Sequence, residues 1–170
     1  MGGLFYGFGG DGAGKRMVGC VSVYYDTCIH GRPYDDESDP AIARDIADIE
    51  LVTKLCKARK YPILGSKVVL FEHSKIADAE LKGDINKQYQ KTIDVNVIIT
   101  ADIAMRAMTL QAEGVGRWDS YHLAAAEAAD AEVLLTVDKE FIRIVERKNL
   151  SKVLVINPLT FLRKVYLWKK

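Results

Sequence analysis

Short β-branched runs alternate with longer apolar stripes of helical spacing along most of this chain. Residues 18–25 read as a first strand. A polar loop over 28–38 follows, and Asp39-Pro40 then opens a helix, because Asp caps free N–H groups and Pro suits a first turn. Ile42, Ile46, Ile49, Leu55 and Cys56 put the stripe of this helix on one side. Residues 62–65 predict a short strand, and Ser66 caps a second helix running to about Leu81. Gly83-Asp84 predicts a break before a further helical stretch. Residues 95–99 predict a strand, and Thr100 caps a helix that ends at Gly114. An Ala-rich helix from about Trp118, a strand over 132–136, a helix from Asp138, a strand over 153–156 and a helix after Pro158 complete the pattern.

Parallel neighbours need a crossover between them, so this alternation predicts an α/β fold, a three-layer α/β/α arrangement around a central parallel sheet. No repeat or linker divides 17–170, which reads as a single domain. Residues 1–16 read as a flexible Gly-rich leader, with Met17 an alternative start. The leader is no signal peptide, having no charged start ahead of an apolar stretch. Its GGDGAGKR string approaches a phosphate-binding loop but places Arg16 where a hydroxyl must reach Mg²⁺, and a strand follows where a helix is required.

Composition narrows the class. Of 170 residues, 49% are hydrophobic and 28% charged, which excludes disordered, collagenous and disulfide-rich secreted chains. No apolar run approaches the roughly 20 residues of a membrane helix. With 24 basic against 23 acidic residues, the net charge of +1 excludes a blanket basic coat and leaves room for a local basic patch. Cys20, Cys28 and Cys56 are odd in number and lack CxxC spacing, so they read as reduced thiols in a cytoplasmic, reducing compartment.

The acids carry the chemistry. In open α/β sheets ligands bind beyond the carboxyl ends of strands. Asp26 follows the first strand and Asp138 the strand before the penultimate helix. Glu72 shares a helical stripe with Val69 and Ile76, and Asp119 shares one with Leu123 and Ala126. Burying a carboxylate costs several kcal/mol unless it is paired or ligates a metal. Four oxygen donors from separate segments suit a hard cation, Mg²⁺ or Mn²⁺, which would polarise a water and clamp a phosphate oxygen. Taken singly, Asp26, Asp119 and Asp138 read equally well as turn or helix-capping residues.

The segments VYYDT (23–27), GRPYDD (31–36), SKVVLFE (66–72), WDSYHLAAAEAADAEVLLTVDKEF (118–141) and VLVINPLTFL (153–162) resemble, in order, those of PIN domains and more narrowly the VapC-like ribonucleases. The resemblance spans 18–162 and is most specific in D-x-x-H-L-A-x-A followed by L-L-T-x-D. It implies a PIN-like domain that uses Mg²⁺ or Mn²⁺ to cut RNA, with Asp26, Glu72, Asp119 and Asp138 as metal ligands and catalytic acids. Thr27 and Thr136 take the flanking hydroxyl positions. Asp119 or Asp138 would position a second metal or the water. The family includes toxins of toxin–antitoxin pairs, so a small antitoxin protein is a candidate partner, and a homodimer is implied. Two departures stand out: Cys28 replaces a frequent Asn, and the long segment before Glu72 leaves Asp45 and Asp36 as alternatives for the second acid.

Arg32 is the candidate phosphate-binding residue, with Arg117, Lys139 and Arg143 as further basic neighbours of the motifs. His30, His73 and His122 lack zinc-ligand spacing, and His122 reads as packing or hydrogen-bonding beside Asp119. Met105, Met108 and Leu110 read as core or dimer surface, Trp118 and Tyr121 as packing residues unless exposed for base stacking, and the basic tail as a final packed helix. The rival reading is a PIN-like module that binds RNA or protein without cutting. A haloacid-dehalogenase-like phosphatase is excluded, because Cys28 stands where that family needs a second Asp.

Overall fold

The computed structural model describes residues 21–165, so the leader 1–16, Cys20 and the last residues of the tail lie outside the described part. Five strands form one sheet: β1 (Val23–Tyr25), β2 (Ile63–Ser66), β3 (Val95–Val97), β4 (Val133–Leu135) and β5 (Leu154–Ile156). All neighbours are parallel and the order is β3-β2-β1-β4-β5. The expected central parallel sheet is therefore present. The chain winds outward from β1 to β3, then crosses back to lay β4 on the other side of β1. That reversal makes the β1–β4 junction the topological switch point, where connections leave in opposite directions and where open α/β sheets bind ligands.

Alternating side chains divide the core into two layers. Tyr24, Leu64, Leu134 and Val155 face one side, against α5 (Ala101–Ala112), α6 (Arg117–Ala128) and α7 (Lys139–Lys148). Val23, Tyr25, Ile63, Val133, Leu135 and Ile156 face the other, against α2 (Pro40–Arg59) and α8 (Pro158–Val165). The buried stripe of α2 is Ile46, Ile49, Val52 and Cys56. Leu110 is buried, whereas Met105 and Met108 are each 66% exposed, which excludes them from the core.

Two stretches differ from expectation. The polar loop after β1 begins with a short helix, α1 (Thr27–Gly31), and a 3-10 turn, because the Asp26 carboxylate caps it by accepting from Thr27 N–H. The break expected at Gly83-Asp84 falls earlier, between α3 (Lys67–Ser74) and α4 (Ala79–Thr92). Asp78 accepts from Leu81 N–H at 3.0 Å and starts α4 afresh, so the break falls before Asp78. Gly83 lies inside α4 with open space around its Cα, and a helix tolerates one Gly there at a cost of about 1 kcal/mol.

Candidate active site

β1 delivers Asp26 to the switch point with its carboxylate buried, 4% exposed. Three donors hold it there. Thr27 N–H donates to Oδ1 at 2.6 Å, the Thr136 hydroxyl donates to Oδ2 at 2.7 Å, and the Cys28 thiol donates to Oδ2 at 3.2 Å. Thr136 is reached through β4, so the β1–β4 pairing fixes the contact between the two strand ends. The Thr136 hydroxyl also accepts from Asp138 N–H at 3.1 Å. Thr27 and Thr136 thus both contact Asp26. Cys28 fills the remaining polar space, and burial beside Asp26 pushes its thiol well above its usual pKa.

Asp138 caps α7, its Oδ1 accepting from the Glu140 and Phe141 N–H groups at 2.9 and 3.1 Å. Its Oδ2 makes no hydrogen bond among the described residues. Asp119 sits in the first turn of α6, where the N-cap is Gly116, which offers no side chain. A Cβ at 116 would lie 3.0 Å from Asp119 Oδ2, so the glycine leaves room for the carboxylate. Burial raises the Asp119 carboxyl, the charges of Asp26, Asp138 and Glu72 raise it further, His122 opposes them, and the result is about 7. The charges of Asp26, Asp138 and Glu72 thus all act on Asp119.

Glu72, on α3, is tied to the cluster through His122 of α6. His122 Nε2 donates to Glu72 Oε1 at 2.6 Å and lies 3.3 Å from Asp26 Oδ1. Thr27 Oγ1 also donates to Glu72 Oε1, at 2.8 Å. On the other side of the ring, His122 Nδ1 is 2.8 Å from the Tyr24 hydroxyl, which is 2.7 Å from Ser66 Oγ. With the imidazole charged, the bonds run in one sense: Nδ1–H to Tyr24 and the Tyr24 hydroxyl to Ser66. Burial alone would lower the His122 pKa, but Asp26, Glu72 and Asp119 outweigh it and raise it. Burial would likewise raise Glu72, and the bond and charge of His122 with the Thr27 bond carry it below its usual value. His122 thus bridges two acids, where the sequence suggested a contact beside Asp119. Its signal was a polar residue on the buried stripe of α6. Tyr24 and Ser66 carried no signal beyond strand and cap.

The alternatives for the second acid lie elsewhere. Asp45 makes an ion contact with Arg32 Nε at 3.3 Å, and Asp36 accepts from Ser38 N–H in the exposed loop. Arg32 also pairs with Asp35 at 2.9 Å, so its ion pairs run to neighbouring acids rather than to the cluster. Arg143 pairs with Glu140 at the surface. His30 and His73 are buried beside Tyr89, and burial lowers both, His30 to about 3. Among the described residues, no group of three or more His, Cys, Asp or Glu side chains is arranged to hold a metal ion. Cys28 and Cys56 are free thiols, and no helix among the described residues is long and apolar enough to cross a membrane.

No protein-family model matches the chain, and no curated protein matches it in sequence. Solved structures do. A chain of DNA-bound VapBC from Salmonella typhimurium is 16% identical, with 81% of this chain and 98% of that one covered at a TM-score of 0.54. A chain of VapBC2 from Rickettsia felis, bound to a DNA fragment from their promoter, is 18% identical, with 79% and 98% covered at a TM-score of 0.49. At 16% identity the likeness to the Salmonella chain is one of fold. The chain has the three-layer α/β/α fold of that VapBC chain, the PIN-like fold that its motifs imply.

Proposed function

We propose that this protein is a Mg²⁺- or Mn²⁺-dependent endoribonuclease of PIN type, with Asp26, Glu72, Asp119 and Asp138 as its acids. The observation that carries the reading is Asp119, whose carboxyl is pushed up to about 7 by burial first and then by the charges of Asp26, Asp138 and Glu72. His122 is the residue whose charge opposes the acids around Asp119, and Asp138 Oδ2 accepts no hydrogen bond among the described residues. That oxygen-rich, under-neutralised donor set fits a hard divalent cation in charge and in chemistry. Asp26, Asp119 and Asp138 would hold it, while Glu72, occupied by His122 and Thr27, would act from behind. Bound there, such an ion supplies a polarised water and neutralises the charge on a phosphodiester.

The chain's own residues supply the rest. Thr136, Cys28 and Thr27 N–H fix the rotamer of Asp26. The Asp119 carboxylate would orient the attacking water. The Tyr24–His122–Glu72 chain keeps α3 and α6 in register behind the site. Partners that go with this reading are an RNA substrate, a small antitoxin protein and a second copy of the chain. The test is Asp26→Asn: Mn²⁺-dependent RNA cleavage should fall by at least 100-fold with the circular dichroism unchanged. Equal cleavage by parent and variant as Mn²⁺ is added back after EDTA would overturn the proposal.

A second reading, a PIN-like module that binds RNA or protein without cutting, draws on one observation: both Asp26 oxygens already accept hydrogen bonds, one from Cys28. Calorimetric titration separates the two, since absence of Mn²⁺ binding would favour the module.

A further inference from the structure

The seam between α3 and α6 carries a second feature that cleavage chemistry leaves unused. Phe71 directly precedes Glu72 and Trp118 directly precedes Asp119, so an aromatic ring stands one helical step from each of these acids. The Phe71 and Trp118 ring centroids are 5.1 Å apart, and Tyr121 continues the row 6.2 Å beyond Trp118. Phe71 is 48% exposed, and Trp118 and Tyr121 are half-buried. Lys75 Nζ lies 4.5 Å from the Phe71 centroid and 4.7 Å from that of Trp118, and the Arg117 guanidinium lies 5.1 Å from Trp118. Among the described residues neither Lys75 nor Arg117 forms an ion pair with an acid.

Partly exposed aromatic rings beside cations without acid partners complement a ligand with flat π surfaces and regular negative charge. Unpaired nucleotides have both; a duplex hides its base faces in the stack, and an acidic peptide brings charge without the rings. We propose that Phe71, Trp118 and Tyr121, with Lys75 and Arg117, form a stacking shelf for unpaired bases of an RNA strand that enters the acid cluster along the α3–α6 seam. The shelf confines the substrate to single-stranded RNA or unpaired loops, and it rests on the ribonuclease reading for the reaction but not for the binding.

The experiment measures binding by fluorescence anisotropy in EDTA, so that nothing is cut, using labelled oligouridine and a blunt RNA duplex. Phe71→Ala, at an exposed position, should weaken oligouridine binding by about tenfold, and Phe71→Tyr should retain it. Lys75→Ala should lower the salt dependence by a little under one unit of the log–log slope. Duplex should bind the parent more weakly than oligouridine and be indifferent to Phe71→Ala. Failure of the parent to bind oligouridine, equal binding by parent and Phe71→Ala, or tighter binding of duplex would overturn the shelf. So would displacement of oligouridine from the parent by a polyglutamate peptide at matched charge, which would assign the surface to a protein. Cleavage measured separately with Mn²⁺ keeps the two ideas apart. Phe71-dependent binding without cleavage sinks only the nuclease, and Asp26-dependent cleavage with Phe71-independent binding sinks only the shelf.

Discussion

His122 bears more of the site's architecture than any of the acids around it. It is buried and reaches Glu72, Asp26 and Tyr24 from one ring. Removing it leaves Glu72 half-buried without its imidazole partner, so His122→Asn should cost about 2–4 kcal/mol in urea unfolding. The pH dependence has a definite sign. The His122 pKa is raised in the fold, so its contribution is full below its unfolded value near 6.5 and fades as pH rises through the folded one. Glu72 is lowered, so its contribution is full above 4.5 and is lost as pH falls through the folded value. The gap between parent and variant should therefore be widest between about pH 4.5 and 6.5. Asp119 runs the other way: raised to about 7, it costs the metal-free fold stability that grows from pH 4 and levels off above pH 7. Asp119→Asn should then stabilise the metal-free protein at pH 8 by about 1–2 kcal/mol, after allowing for solvent screening of a partly exposed group. A variant no more stable than the parent at pH 8 would contradict the raised Asp119 pKa.

At the scale of elements, what the chain announced were starts. Ser66, Asp39, Thr100 and Asp138 each cap the helix assigned to them. Ends and interruptions were harder, because a cap placed mid-stripe outweighs periodicity: Asp78 restarts α4 where the apolar spacing suggested continuity, and Gly83 does not stop it. Gly65 shows the reverse case, a residue whose reason lies in a distant element. Tyr89 of α4 lies directly over its Cα, with the Tyr89 hydroxyl donating to Asn96 Oδ1 at 2.7 Å. Gly65→Ala should displace that ring and cost about 1–3 kcal/mol by thermal melting. Wild-type stability in the variant would mean that α4 shifts freely over β2.

For the whole molecule, the test of a shared acid pocket is linkage. A cation bound only by the folded state should raise the melting temperature with concentration, and Mn²⁺ at 100 times its dissociation constant adds about 2.7 kcal/mol. The increment should vanish in Asp26→Asn and on adding EDTA; a shift that survives the substitution would place the ion elsewhere.

Local patterning was enough to read the alternation of strands and helices, and with it a parallel sheet, because parallel strands demand crossovers. It also placed Asp26 and Asp138 beyond strand ends, since strand ends and caps are local signals. Only the tertiary structure set β4 against β1, which joins Asp26 to Thr136 across 110 positions of chain. Only the packing of α3 against α6 brought Glu72 to His122, while Asp45 contacts Arg32 and Asp36 contacts Ser38. Strand order and helix docking are settled by which buried faces fit together over the whole core, and no short stretch of residues contains that information.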